Sequence, residues 1–169
     1  MKTEKEILKE RAIKNAGVTG EFKKIAKEPL EVLEFTLLNQ KYAFERRFAS
    51  EVHFLKEITT IPGAPDFVSG VIFHRGRIIS LVNLRTLFKM KERGLTDFNK
   101  FIIISEKETY FGIITDSITG IAVKDKSLIN QAPSTVDPLI SAYIKGIFDD
   151  GVILLDALKL LTSPEIIVK

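Results

Sequence analysis

Between Pro62 and Arg85 the chain reads PGAPDFVSGVIFHRGRIISLVNLR, and this run narrows the possible folds more than any other. Pro62-Gly63-Ala64-Pro65 is a rigid turn that cannot continue a helix. Val68 to Phe73 is β-rich and apolar, and Gly70 within it marks a bulge or a close approach of another backbone. Arg75-Gly76 predicts a hairpin turn, because Gly76 can take the positive φ that such turns need. Arg77 to Val82 runs back as a second strand, and Asn83 offers a side-chain oxygen to cap a short helix over Leu84–Met90. Turn, strand, hairpin, strand and capped helix follow one another with no residue to spare.

From Glu31 the apolar period is two, with Leu33, Phe35 and Leu37 on one face of a strand and Val32, Glu34 and Thr36 on the other. Asn39-Gln40-Lys41 is a turn, and Tyr42 to Phe44 begins the return strand. Val52, Leu55 and Ile58 are spaced three apart, so Ala49 to Ile58 is expected to be a short helical or irregular segment. Phe101–Ser105, Tyr110–Ile114 and Asp116–Val123 are further strands, and Asn130–Pro138, with two prolines, is a loop. Tyr143–Phe148, the turn Asp149-Asp150-Gly151 and Val152–Leu155 form a last hairpin, after which Asp156 caps a helix over Ala157–Leu161.

This end repeats the centre. Gly70-Val71-Ile72-Phe73, a glycine turn, an apolar strand and a capped helix recur as Gly146-Ile147-Phe148, a glycine turn, an apolar strand and a capped helix. The repeat predicts two similar small β-subdomains rather than one sandwich. Many short strands with hairpin-length turns point to barrels, which leave no strand edge exposed.

Charge distribution excludes some partners. The net charge of +3 lies wholly in the first 30 residues, and the remainder holds equal numbers of basic and acidic groups. A nucleic-acid-binding domain would be expected to carry its basic excess on the folded body. Lys5–Ala16 predicts a thin amphipathic helix, and Glu21–Lys27 another turn or two, so residues 1–30 read as a helical polar leader. It either docks a few apolar residues on the body or forms a partner-binding helix; its apolar face is too narrow to favour a membrane surface. No run approaches the ~20 apolar residues of a membrane span, so no membrane insertion is expected. A chain without cysteine and with a charged start fits the cytoplasm.

Catalytic chemistry is hard to assemble. The glycines match neither a phosphate-binding loop nor a dinucleotide fingerprint. His53 and His74 are far apart in sequence, with no cysteine nearby, and read as exposed strand or turn histidines rather than metal ligands. Asp149-Asp150 belongs to a hairpin turn, and Ser80 lies in an apolar strand. The expectation is a protein that is not an enzyme, with no cofactor and no metal.

Pro62, Gly63, Pro65, Gly70, Val71, Arg75, Gly76, Leu84 and Arg85 together resemble the CheW-like domain, the adaptor module of bacterial chemotaxis arrays, over roughly residues 31–161. The resemblance implies a mainly β fold of two small SH3-like five-stranded β-barrel subdomains with short helices, preceded by the leader and followed by a tail, residues 162–169. It implies a scaffold that couples the cytoplasmic tips of chemoreceptors to the regulatory domain of a CheA-like histidine kinase. Glu51, in Ser50-Glu51-Val52, and Arg75 match the family's receptor-facing pair, and Ala49, Gly70 and Gly76 match neighbouring positions. The chain departs from the family pattern at Phe73-His74, where Asn-Leu is usual, at Ser80 for Pro, at Asn83 for Asp and at Thr115 for Val. Two other readings stand beside this one: a divergent CheW paralogue that binds a partner without coupling it, and a small-molecule-binding β-barrel such as a nucleotide sensor.

Overall fold

The structure, a computed structural model, describes residues 26–91, 94–96 and 98–166. The leader helix expected over Lys5–Ala16 lies outside the described residues. Ten strands lie among the described residues: β1 (Pro29–Leu37), β2 (Gln40–Glu45), β3 (Ala49–Phe54), β4 (Val68–His74), β5 (Arg77–Val82), β6 (Lys100–Glu106), β7 (Thr109–Thr115), β8 (Ser117–Asp125), β9 (Ile144–Ile147) and β10 (Ile153–Leu155). Among the described residues three short α-helices accompany them, α1 (Leu84–Leu87), α2 (Pro138–Ser141) and α3 (Ala157–Thr162), with a 3-10 turn at Lys126–Leu128.

The strands form two five-stranded sheets, ordered β8-β1-β2-β10-β9 and β3-β6-β7-β5-β4. We call them subdomains A and B. Each is built around an antiparallel hairpin, β1–β2 or β6–β7, and a second hairpin joins it through a parallel pair, β10 on β2 or β5 on β7. The strand that follows each central hairpin crosses to the other subdomain: β3 pairs with β6, and β8 with β1. The internal repeat is thus real in the fold, but the subdomains are interleaved and cannot be cut at one point of the chain.

A single bridge brings the two edges of each sheet together. Past β3, Thr59 pairs with Val71 of β4, and past β8, Asn130 pairs with Ile147 of β9. The repeated glycine sits at that closure in both cases. A Cβ on Gly70 would lie 2.4 Å from the Thr59 carbonyl oxygen, and one on Gly146 would lie 2.0 Å from Ile129 Cγ2. The glycines are therefore the close-approach points that strand glycines often mark.

Alternation along the central hairpins divides the apolar residues between three cores. Leu33, Phe35, Leu37, Tyr42 and Phe44 meet Ile102, Ile104, Phe111 and Ile113 in a cluster shared by both subdomains. The opposite faces fill the barrels: Val32 and Ala43 pack with Phe148, Val152 and Leu154 in A, and Phe101, Ile103 and Ile114 with Leu55, Ile72, Ile79 and Leu81 in B. With ~25 cal/mol per Å² of apolar surface buried, hairpins covered on both faces are the strongest contributors to this fold.

The structure corrects several expectations. Ala49–Ile58 is not helical: its first six residues are β3, because Glu51 and His53 share one face and Val52 and Phe54 the other. Helix α1 ends at Leu87, short of Met90, where Lys89 adopts a φ of 53°. The loop around Pro138 holds α2, capped by the Asp137 side chain. Pro29 and Leu30, placed in the leader, begin β1, and Ile166, placed in the tail, is buried in the shared core.

Candidate functional site

The β4–β5 hairpin turns through two residues, with φ of 49° at Arg75 and 78° at Gly76. Positive φ at both central positions matches the twist of the flanking strands. Gly76 is therefore required by backbone conformation; a Cβ there would meet nothing within 4 Å. The turn presents Arg75 at its tip with 71% of the side chain exposed.

Across from the tip runs β3. The register with β6 shifts between Ala49 and Glu51, and Ser50 Oγ donates to the Ile103 carbonyl at 3.0 Å. Glu51 and His53, two residues apart, project from the same side of the strand. Arg75 Nη1 lies 3.2 Å from Glu51 Oε2, so the two residues matched to the family's surface form an ion pair between opposite edges of subdomain B.

Two further residues join them that were expected to be solitary. His53 Nε2 lies 2.6 Å and His74 Nε2 3.2 Å from the same Glu51 oxygen. The imidazole centroids are 4.1 Å apart, and the His53 ring also packs on Phe101, 5.6 Å away. Hydrogen bonds from His53 and His74, with a smaller contribution from the charge of Arg75, hold the Glu51 carboxyl below its ordinary pKa. Barrel closure supplies this contact: residues 21 apart in sequence meet because β3 and β4 are the two edges that curl together. An alternating strand placing Glu51 and His53 on one face was the only available signal, and the three-residue apolar spacing hid it.

Ala49 and Gly70 sit differently from the surface positions expected of them. Ala49 is 4% exposed within the shared core, and Gly70 is buried at the barrel closure. Neither contributes side-chain surface; both set the spacing of the strands that carry Glu51 and His74. The motif residue Arg85 is also internal. It is 2% exposed, with Nη1 3.5 Å from Asp116 Oδ1, while Asp116 accepts from the Leu38 backbone N–H and the Asn99 side chain. Asn83, in place of the family's Asp, still caps α1 by accepting from the Arg85 N–H at 3.0 Å.

A cleft of about 380 Å³ opens beside the cluster, bordered by Ser50, Glu51, His74, Arg75, Lys107 and Tyr110. Its charged side chains are Arg75, Arg77 and Lys107 against Glu51, and Arg77 lies over the Tyr110 ring at 5.3 Å. Asp149-Asp150-Gly151 is the β9–β10 turn, with Gly151 at a φ of 89°, and Asp150 pairs with Lys124. Among the described residues no helix is long and apolar enough to cross a membrane.

Comparison with known proteins places this architecture. The sequence profile of the CheW-like domain matches residues 31–165. The chain is 29% identical over 138 residues to chemotaxis protein CheW of Klebsiella aerogenes, an alignment covering 80% of this chain and 83% of that protein. It is 26% identical to chemotaxis protein CheW of Treponema pallidum, covering 82% and 86% of the two chains. The crystal structure of scaffolding protein TtCheW from Thermoanaerobacter tengcongensis superposes with a TM-score of 0.67 at 29% identity, covering 75% of this chain and 88% of that one. With a profile matching most of its length and the same mainly β fold, the chain belongs to the CheW-like domain family and has the chemotaxis scaffold function of that family.

Proposed function

We propose that this scaffold meets the cytoplasmic tip of a chemoreceptor through the rim of subdomain B, with Arg75 and Glu51 at its centre. The observation that carries this reading is the ion pair itself. Arg75 is highly exposed yet held in one direction by a turn of fixed geometry and by a carboxylate from the opposite edge. A pre-positioned guanidinium loses little conformational entropy on binding, and arginine is enriched among residues that dominate interfaces. Beside it the cross-strand pair Phe73 and Ile78, 78% and 65% exposed, offers apolar surface. Ala49, Gly70 and Gly76 serve the same surface from below, by fixing strand spacing and the turn.

The regulatory domain of a CheA-like histidine kinase would dock on the exposed apolar ends of the barrels, principally on subdomain A. There β8, an edge of its sheet, exposes Ile121 and Val123 at 60% and 59%. A scaffold holding receptor and kinase on separate subdomains passes a shift of one to the other as a change in populations, provided its contacts differ between the two states. No catalytic step by this chain is part of that mechanism, and the assembly would lie in the cytoplasm.

The test is Arg75→Glu in the full chain. Receptor-fragment binding should weaken at least tenfold while thermal unfolding and kinase binding stay normal. Normal receptor binding by the folded variant would remove Arg75 from the interface.

A further inference from the structure

Glu51, His53 and His74 offer one carboxylate oxygen and two imidazole nitrogens that all lie within 4.8 Å of one another. We propose that these three side chains form a binding site for one divalent transition-metal ion of the zinc class. The donor set selects that class. Imidazole nitrogen with carboxylate oxygen suits Zn²⁺ and its first-row neighbours, whereas Ca²⁺ and Mg²⁺ require mostly oxygen donors. Three protein ligands are also the number found in zinc sites that keep a fourth position open for water or a partner's donor.

The geometry needs little rearrangement. Metal–ligand bonds of about 2.0–2.2 Å place neighbouring donor atoms roughly 3 Å apart, and the present separations from Glu51 Oε2 are 2.6 and 3.2 Å. The ligands stand on two strands rather than on a loop: Glu51 and His53 on β3, and His74 at the end of β4. The Thr59–Val71 bridge closes those two strands into one rim, and the Phe101 ring supports His53 from the core. Side-chain exposures of 34%, 28% and 22% let an ion enter while keeping the donors partly shielded. The expectation that His53 and His74 are unrelated surface histidines, with no metal site, rested on sequence spacing, which does not register that two sheet edges meet.

Arg75 is the competing cation, since its guanidinium holds the same Glu51 oxygen. Its exposed side chain can turn outward when an ion takes that oxygen. Lys107 and Arg77 near the cleft keep the local field positive, so the expected affinity is micromolar rather than nanomolar. If the rim is also the receptor surface, metal loading changes the orientation of Arg75 and with it receptor affinity; this last step rests on the proposed docking role.

The experiment is calorimetric titration of the full chain with Zn²⁺ in a non-chelating buffer, repeated with Co²⁺ for its visible absorption. One ion per chain is expected. His53→Ala and His74→Ala should each weaken binding at least tenfold and abolish the four-coordinate Co²⁺ bands, and Arg75→Ala should bind equally or more tightly. Thermal unfolding of each variant without metal verifies that it is folded. These are the chain's two histidines, so affinity unchanged in both variants, or binding far below one ion per chain, would overturn the site. Receptor binding measured with and without Zn²⁺ separates the two ideas. Zn²⁺ binding with unaltered receptor affinity removes the coupling and leaves the metal site. Loss of receptor binding in Arg75→Glu with no Zn²⁺ binding in the wild type leaves the docking surface and removes the metal.

Discussion

Subdomains A and B are the same device with opposite charge. In B an anion on the third strand, Glu51 of β3, holds a cation at the hairpin tip, Arg75. In A a cation on the corresponding strand, Lys124 of β8, holds an anion at the corresponding tip, Asp150. Each pair lies across the rim where the sheet edges close, and each tip residue directly precedes a turn glycine of positive φ, Gly76 or Gly151. The difference is in what else converges there. Lys124 also lies 2.8 Å from Glu34, whose side chain is 9% exposed, so the A pair reaches into the barrel wall. Around the B pair are two half-buried histidines and an arginine largely in solvent. One ion pair closes a barrel; the other keeps polar groups available at a surface.

The largest expected effect tests the closure common to both. Gly70→Ala places a Cβ against backbone at a φ of 143°, combining overpacking with a conformation that L-residues avoid. Overpacking alone costs about 1–3 kcal/mol, and positive-φ strain adds about 1–2 kcal/mol, so chemical denaturation should show a loss of roughly 3 kcal/mol or more. Gly146→Ala meets mainly the Ile129 side chain, without positive φ. Its loss should be smaller, about 1–3 kcal/mol, and a loss exceeding that of Gly70→Ala would break the equivalence of the two closures.

The charge pairs come next. Lys124, 17% exposed, leaves Glu34 without its cation when replaced, so Lys124→Met should cost about 2 kcal/mol, between surface and buried pairs. Arg75→Ala should change unfolding by under about 1 kcal/mol, as exposed pairs do. Equal losses for the two would mean that the B pair is structural, contrary to the docking proposal.

The smallest effect concerns acid. Asp125 tethers the end of β8 to the start of β1, accepting from the Ser127 hydroxyl and from the Lys27, Glu28 and Ser127 backbone N–H groups. The Ser127 hydroxyl, then those backbone N–H groups, lower its carboxyl from 3.8 to about 2. Because the folded value is the lower one, its stabilisation is complete above about pH 4 and disappears as pH falls toward 2. Melting temperatures of wild type and Asp125→Ala should converge over that window, and a constant gap down to pH 2 would contradict the assignment.

Local chemistry carried far along this chain. The hairpin at Arg75-Gly76, the caps at Asn83 and Asp156 and the repeated Gly-apolar strand were legible because each depends on a few adjacent residues and on backbone sterics. The resemblance singles out Glu51 and Arg75 together, and the structure pairs them at 3.2 Å; Ala49 and Gly70 enter the same expected surface because small residues suit packing and docking alike, and both are buried. The spacing of Val52, Leu55 and Ile58 points away from β3 because it mixes one strand residue with two from the segment beyond it.

By itself, then, the sequence determined the hairpins, the two-fold repeat and the family, all consequences of short-range geometry and pattern. Only the tertiary structure decided which subdomain each third strand joins, since β3 and β8 leave their own hairpins and pair with the other's. That exchange, with closure at Thr59–Val71, is what brings His53, His74 and Arg75 onto one carboxylate. Strand pairing between distant segments is set by which edges curl together around a shared core, and no local residue pattern encodes that choice.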